Sequence, residues 1–160
     1  MNGLGLSDGD YRTLAAFRRR LREFLAFSET AARDAGLTPH QHQLLLAIRG
    51  HPGSSAPSIS DTAEALCLQV HSTTELVGRA VDDGLVERRR DPADGRRVLL
   101  ALTGQGERKL AELSRLHRTE LHRFRREMSE LGRLSAAQPD ARATAREPGV
   151  DGVRGRSPRG

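Results

Sequence analysis

Five arginines, Arg88, Arg89, Arg90, Arg96 and Arg97, stand on either side of the turn-forming run Asp91-Pro92-Ala93-Asp94-Gly95. From Arg88 to Arg97 they outweigh two aspartates, which leaves this stretch at about +3. A guanidinium is planar and permanently charged, grips two phosphate oxygens at once, and is well suited to a narrow minor groove. Arginines held at a turn therefore fit a phosphate backbone, although a merely solvated hairpin shares the composition. Upstream, Gln69, His71, Ser72, Thr73 and Arg79 carry donors and acceptors that match base edges in a major groove, and the polar cluster falls at the start of a helical pattern.

Such residues act together only if short elements hold them in place. Ser60 to Leu66 reads as a short helix, capped by Ser60 or Asp61, with Asp61 and Glu64 at a capping-box-like spacing and Ala63 and Leu66 facing inward. Cys67-Leu68-Gln69 makes a turn into a second helix, Val70 to Val81, whose expected buried stripe is Val70, Thr74, Val77 and Val81. Gly84 stops that helix. Leu85 to Arg90 and Arg96 to Leu102 then form the two strands of a hairpin, to which Ser58-Ile59 adds a short third strand. Two short helices followed by a basic hairpin predict a winged helix-turn-helix, with one helix in the major groove and the hairpin on flanking DNA.

These residues also carry a family resemblance. The run Ser72-Thr73-Thr74-Glu75-Leu76-Val77, then Arg79, Gly84-Leu85-Val86, Arg88, Asp91-Pro92, Asp94, Arg96 and Leu102-Thr103, resembles the MarR family of bacterial winged-helix regulators. The wing motif, Asp-x-Arg followed after five residues by Leu-Thr, is matched by Asp94-Gly95-Arg96 and Leu102-Thr103. The resemblance runs from about Tyr11 to about Leu134 and implies a homodimeric transcription regulator, most often a repressor, on pseudo-palindromic promoter DNA. It implies that Arg96 contacts DNA near the wing tip and that Asp94 holds the wing's shape. It also implies release by a small aromatic or phenolic effector bound between the lobes. Gly78 and Ala80 depart from the family's usual polar and larger apolar residues at those positions; glycine inside a helix costs about 1 kcal/mol against alanine.

The flanking segments supply what a dimer needs. Asp10 to Ala35 reads as a helix with Leu14, Phe17, Leu21, Phe24, Leu25 and Ser28 on one stripe, and most of its arginines off it. Thr38, Pro39 and Gln41 open the next helix with a cap, a first-turn proline and a capping-box glutamine, and Leu44, Leu45 and Ile48 face inward before it closes at Gly50. Thr103 caps a long pattern from Gly104 to about Leu134. The expected fold is thus mostly α with a small β-wing: a winged helix-turn-helix lobe at 38–103, and dimerisation helices at 10–35 and 104–134 within one 10–134 domain. Residues 135–160 change to Ala, Gly, Pro, Arg and Ser and read as a disordered tail.

Composition bounds the rest. In 160 residues, 36% apolar and 3% aromatic, the core is modest and a partner would complete it. The net charge of +5 favours a polyanion, but 25 of the 26 basic residues are arginine, so the clustering says more than the total. No apolar leader follows Met1 and no apolar run is long enough to span a bilayer, so the expected location is cytoplasmic, on the nucleoid. Cys67 is the single cysteine and reads as a small buried packing residue. Among the six histidines, His71 fits a DNA contact, and His117 and His122 fit the dimer interface; no pair has the i, i+4 spacing with a carboxylate that a metal site needs. With no phosphate loop or nucleophile elbow, no enzyme, cofactor or metal is expected. A nonspecific architectural DNA binder, or a protein-interaction module built on a winged helix, would share the basic hairpin.

Overall fold

Three helices in this chain start on the same device, a serine or threonine whose side chain caps the first turn while a residue three positions on reaches back. The pairs are Ser7 with Asp10, Thr38 with Gln41, and Ser58 with Asp61. They open α1 (Asp8–Asp34), α2 (Pro39–Arg49) and α3 (Ile59–Leu66), which are followed by α4 (Val70–Asp82), β1 (Val86–Arg90), β2 (Val98–Leu102) and α5 (Gly104–Ala136). The computed structural model describes residues 7–136, with side chains as far as Arg133. Of the expected tail, residues 137–160 lie outside the described residues.

The cap of α3 corrects the sequence reading. Ser58, not Ser60 or Asp61, is the cap, because the Asp61 carboxylate accepts both the Ser58 N–H at 2.8 Å and its hydroxyl at 2.7 Å. That role stops Ser58-Ile59 from extending as a strand. Only an isolated bridge from Ser58 to Leu99 remains, together with a Leu100 N–H donated to the Pro57 carbonyl. The sheet is the β1-β2 antiparallel pair, in register from Val86 opposite Leu102 to Arg90 opposite Val98.

The buried stripe of α4 is the second correction. Thr73, Leu76, Val77 and Ala80 are buried, at i, i+3, i+4 and i+7. Val70 is 52% exposed and Thr74 is exposed. Val77 is common to both stripes and Val81 packs partly buried against the core, while Leu76 and Ala80 are covered in place of Val70 and Thr74. Leu76, Val77 and Ala80 share one buried core with Leu44 and Leu45 of α2, Leu85, Leu100 of β2, and Leu110 and Leu113 of α5. Each fully buried leucine here is worth about 1.5–3 kcal/mol relative to exposure.

Glycine is required where α5 meets the end of α4. Gly84, at φ +68°, gives its N–H to Val81 while Leu85 gives its own to Ala80, which closes α4 with a left-handed residue that L side chains rarely adopt. A Cβ on Gly106 would run into the Leu85 carbonyl, so α5 starts pressed against the backbone of that joint.

The remaining lobe is made by α1 and α5, which run antiparallel: Arg20 pairs with Glu127, Phe24 packs on Phe124, and the His117 ring bonds to Ser28. Lys109 donates to the Ala35 carbonyl at the end of α1. His117 is thus half-buried and held within the protomer, its ring between α1 and α5 and tilted against that of His42 of α2 with centroids 4.7 Å apart. Leu14, Phe17, Leu25, Leu116 and Leu121 of the same two helices are exposed.

Candidate nucleic-acid interface

The polar residues singled out in the sequence divide once α4 is seen in place. Gln69 is the N-cap of α4, but its side chain makes no cap hydrogen bond, and it is exposed. His71 and Arg79 are exposed, and Ser72 is half-buried. Thr73 is not available to a base edge: it is 0% exposed and its hydroxyl donates to the Gln69 carbonyl. The cause is the α4 rotation described above, which puts Thr73 on the core side. Val70 and Thr74 take the outward positions that the sequence reading gave to the interior. Counting Leu76 and Ala80 in the helical pattern would have located them.

The C-terminal end of α4 is anchored by other elements. At its C-terminus the buried Gln41 amide of the α2 capping box donates to the Asp83 carboxylate at 2.6 Å, and the Thr103 hydroxyl donates to the Gly84 carbonyl at 2.6 Å. Before its N-terminus, Cys67 holds a left-handed conformation, φ 54°, as the C-cap of α3. That strained turn places the thiol outside, so Cys67 is exposed, contrary to the expected buried packing role.

The wing is shaped by its aspartates. The Asp94 carboxylate accepts the Arg96 N–H at 3.0 Å and the Asp91 carboxylate accepts that of Ala93 at 2.8 Å, while the Arg97 N–H returns to the Asp94 carbonyl. Short aspartate side chains bonding two residues onward are what make such turns.

The wing arginines fall into two electrostatic groups. Arg89 is paired with Glu87 on its own strand. Arg97 lies 3.6 Å from Asp61 and 3.8 Å from Asp91, tying the wing to the head of α3. Hydrogen bonds from the Ser58 backbone N–H and hydroxyl hold the Asp61 carboxyl below the usual carboxylate range, and the Arg97 charge adds a smaller pull. By contrast Arg79, Arg88, Arg90 and Arg96 are exposed and have no carboxylate partner within ion-pair distance among the described residues. Arg88 reaches toward α4, its guanidinium 3.9 Å from where a Cβ on Gly78 would stand. The surface is therefore an exposed helix flanked by uncompensated guanidinium groups, an arrangement that attracts phosphate at low ionic strength and loses that attraction as salt rises.

Known proteins resemble this chain in sequence and in fold. Residues 35–97 match the MarR family. A protein of Thauera aromatica, named for transcriptional regulation of the hcr operon, is 29% identical over 96 residues, 60% of this chain and 56% of that relative's length. Among solved structures, AbsC of Streptomyces coelicolor, a MarR family transcriptional regulator, superposes with a TM-score of 0.65 at 20% identity, over 82% of this chain and 90% of that one. A cysteine-to-serine mutant of MarR from E. coli, in complex with operator DNA, superposes with a TM-score of 0.57 at 22% identity, over 74% and 79% of the two chains.

Proposed function

We propose, from the match of residues 35–97 to the MarR family and from the exposed face of α4, that the chain is a sequence-specific transcription regulator acting as a homodimer on pseudo-palindromic duplex DNA. In this reading α4 enters the major groove, where Gln69, His71, Ser72 and Arg79 meet base edges, and the wing lays Arg88, Arg90 and Arg96 on the flanking backbone or minor groove. Asp94 shapes the wing. Arg97 acts mainly as a strut, since two carboxylates already face it. The observation that carries the proposal is the set of four unpaired arginines around an exposed α4 face.

The domain division goes with it: a DNA-binding lobe at 38–103 between dimerisation helices at 10–35 and 104–134, whose exposed leucines and Phe17 a second copy would cover. Repression is the sign of regulation that goes with the family, and a cytoplasmic location on the nucleoid goes with the role. No helix among the described residues is long and apolar enough to cross a membrane. For an effector, a cavity of about 240 Å³ lies between α1 and α5, lined by Phe27, Ala31, Leu113 and Leu116 with Asp34 and Glu112. Two carboxylates and no cation in that lining favour a neutral phenol over an aromatic acid.

The deciding experiment is a fluorescence-anisotropy titration against the DNA upstream of the protein's own coding sequence, beside a scrambled duplex, at two salt concentrations. The expected result is a preference of at least about a thousandfold for the native duplex. Equal affinities that collapse together with salt, there and on duplexes drawn from a random pool, would replace this reading with a nonspecific architectural role.

A further inference from the structure

The start of α4 carries a small apolar patch among polar side chains, with unpaired arginines further along the helix and on the wing. Val70 is 52% exposed, and Thr74, one turn on and on the same side, is exposed as well. Neither belongs to the core side of α4, which is Thr73, Leu76, Val77 and Ala80. Thr74 offers less polarity than its name suggests, because its hydroxyl donates to the Val70 carbonyl at 2.8 Å. Such a bond to the preceding turn uses the hydroxyl hydrogen within the helix itself. What remains for a partner is the γ-methyl and an oxygen that can only accept. Both side chains are β-branched and stiff about χ1, so their methyl groups form a fixed surface at little entropic cost on binding.

The surrounding charge decides what that surface meets. Arg79 further along α4 and Arg88, Arg90 and Arg96 on the wing are exposed without a carboxylate partner among the described residues and outnumber the exposed Glu75 beside Thr74, so a polyanion that also presents an apolar group fits this part of the molecule. Duplex DNA does this in one place, the 5-methyl of thymine, which stands alone among major-groove features as an apolar group. Resting on the reading of α4 as the DNA-entering helix, we propose that Val70 and Thr74 are specificity-determining residues that recognise thymine through its 5-methyl group. They add to the hydrogen-bonding set of Gln69, His71, Ser72 and Arg79 and take the place that Thr73 cannot fill.

The test uses a duplex that the full chain itself enriches from a random pool, and the same duplex with the thymines of each half-site replaced by deoxyuridine. Deoxyuridine keeps every hydrogen-bonding group and lacks only the methyl. Wild type is expected to bind the deoxyuridine duplex more weakly by about fourfold for each methyl contacted, the worth of one buried methyl. Thr74→Ser, which keeps the bond to Val70, and Val70→Ala are each expected to weaken binding of the thymine duplex by a similar factor. In the double variant the preference for thymine over deoxyuridine is expected to vanish, with far-UV circular dichroism unchanged. Equal binding of both duplexes by wild type would overturn the proposal, and so would a preference that survives undiminished in the double variant. A pool that yields no enriched sequence would instead remove the recognition-helix reading, and this proposal with it.

Discussion

Two amphipathic helices of this chain finish their apolar faces differently. The stripe of α4 is closed within the protomer, with Val77 and Ala80 at 0% exposure, whereas α1 leaves Leu14 at 53% and Phe17 at 41%. The helix-turn-helix and wing are thus complete as a packed unit, and the α1-α5 lobe is not. A patch of that kind on a helix pair is the usual mark of an interface, because leaving it wet forfeits the burial that stabilises helices of this length. The contrast teaches that the geometry of α4 and the wing is set inside one chain, while the α1-α5 face is left open; under the proposed function a second copy covers it and sets the spacing between two DNA-facing surfaces.

The contrast would break first in the core. Leu45→Ala, at a 0% exposed site shared by the α2-α4 packing, is expected to cost about 2–5 kcal/mol, read by denaturant unfolding at fixed protein concentration. A loss under about 1 kcal/mol would mean that the lobe is looser than its burial indicates. Leu21→Asp, on the half-buried edge of the α1 face, is expected to shift sedimentation from dimer to monomer or aggregate while wing and α4 signals persist. A folded dimer surviving that change would move the interface elsewhere.

A pH titration would probe the seam between the two lobes. Burial, with the neighbouring His117 adding to it, lowers the His42 pKa from 6.5 to about 4. The folded protein therefore keeps His42 neutral where the unfolded chain binds a proton, so this contribution to stability is fully present above pH 6.5 and is lost as pH falls toward about 4. Thermal melts from pH 7 to pH 4.5 are expected to fall, and His42→Phe should flatten the slope; an unchanged slope would place the titrating group elsewhere. The smallest expected effect is at the wing. Arg96→Ala should reduce the slope of log affinity against log salt by about one phosphate equivalent, with melting unchanged.

What the sequence made legible was mostly local. The Thr38-Pro39-Gln41 start, the Gly84 stop and the Asp94-Gly95-Arg96 turn are written in residues whose own side chains or backbones make the bond, and they stand where the spacing predicts. Illegible were choices made by neighbours. Ser58-Asp61 and Asp61-Glu64 are rival caps, and the bridge from Ser58 to Leu99 accompanies the former. Thr73 and Thr74 are equivalent in composition and opposite in burial, since only the surfaces of α2, α3 and the core strand residues decide which one is covered. The outward turn of Cys67 required a left-handed residue that nothing in its side chain advertises.

The single lysine of the chain, Lys109, is committed to the carbonyl that ends α1, while all the cations around α4 and the wing are arginines. Reagents that act through side-chain amines, formaldehyde among them, therefore have no lysine to bond on the face assigned to DNA. Capture of a protein-DNA adduct by such chemistry would under-count occupancy here, and guanidinium-directed or photochemical crosslinking is the better match to this surface.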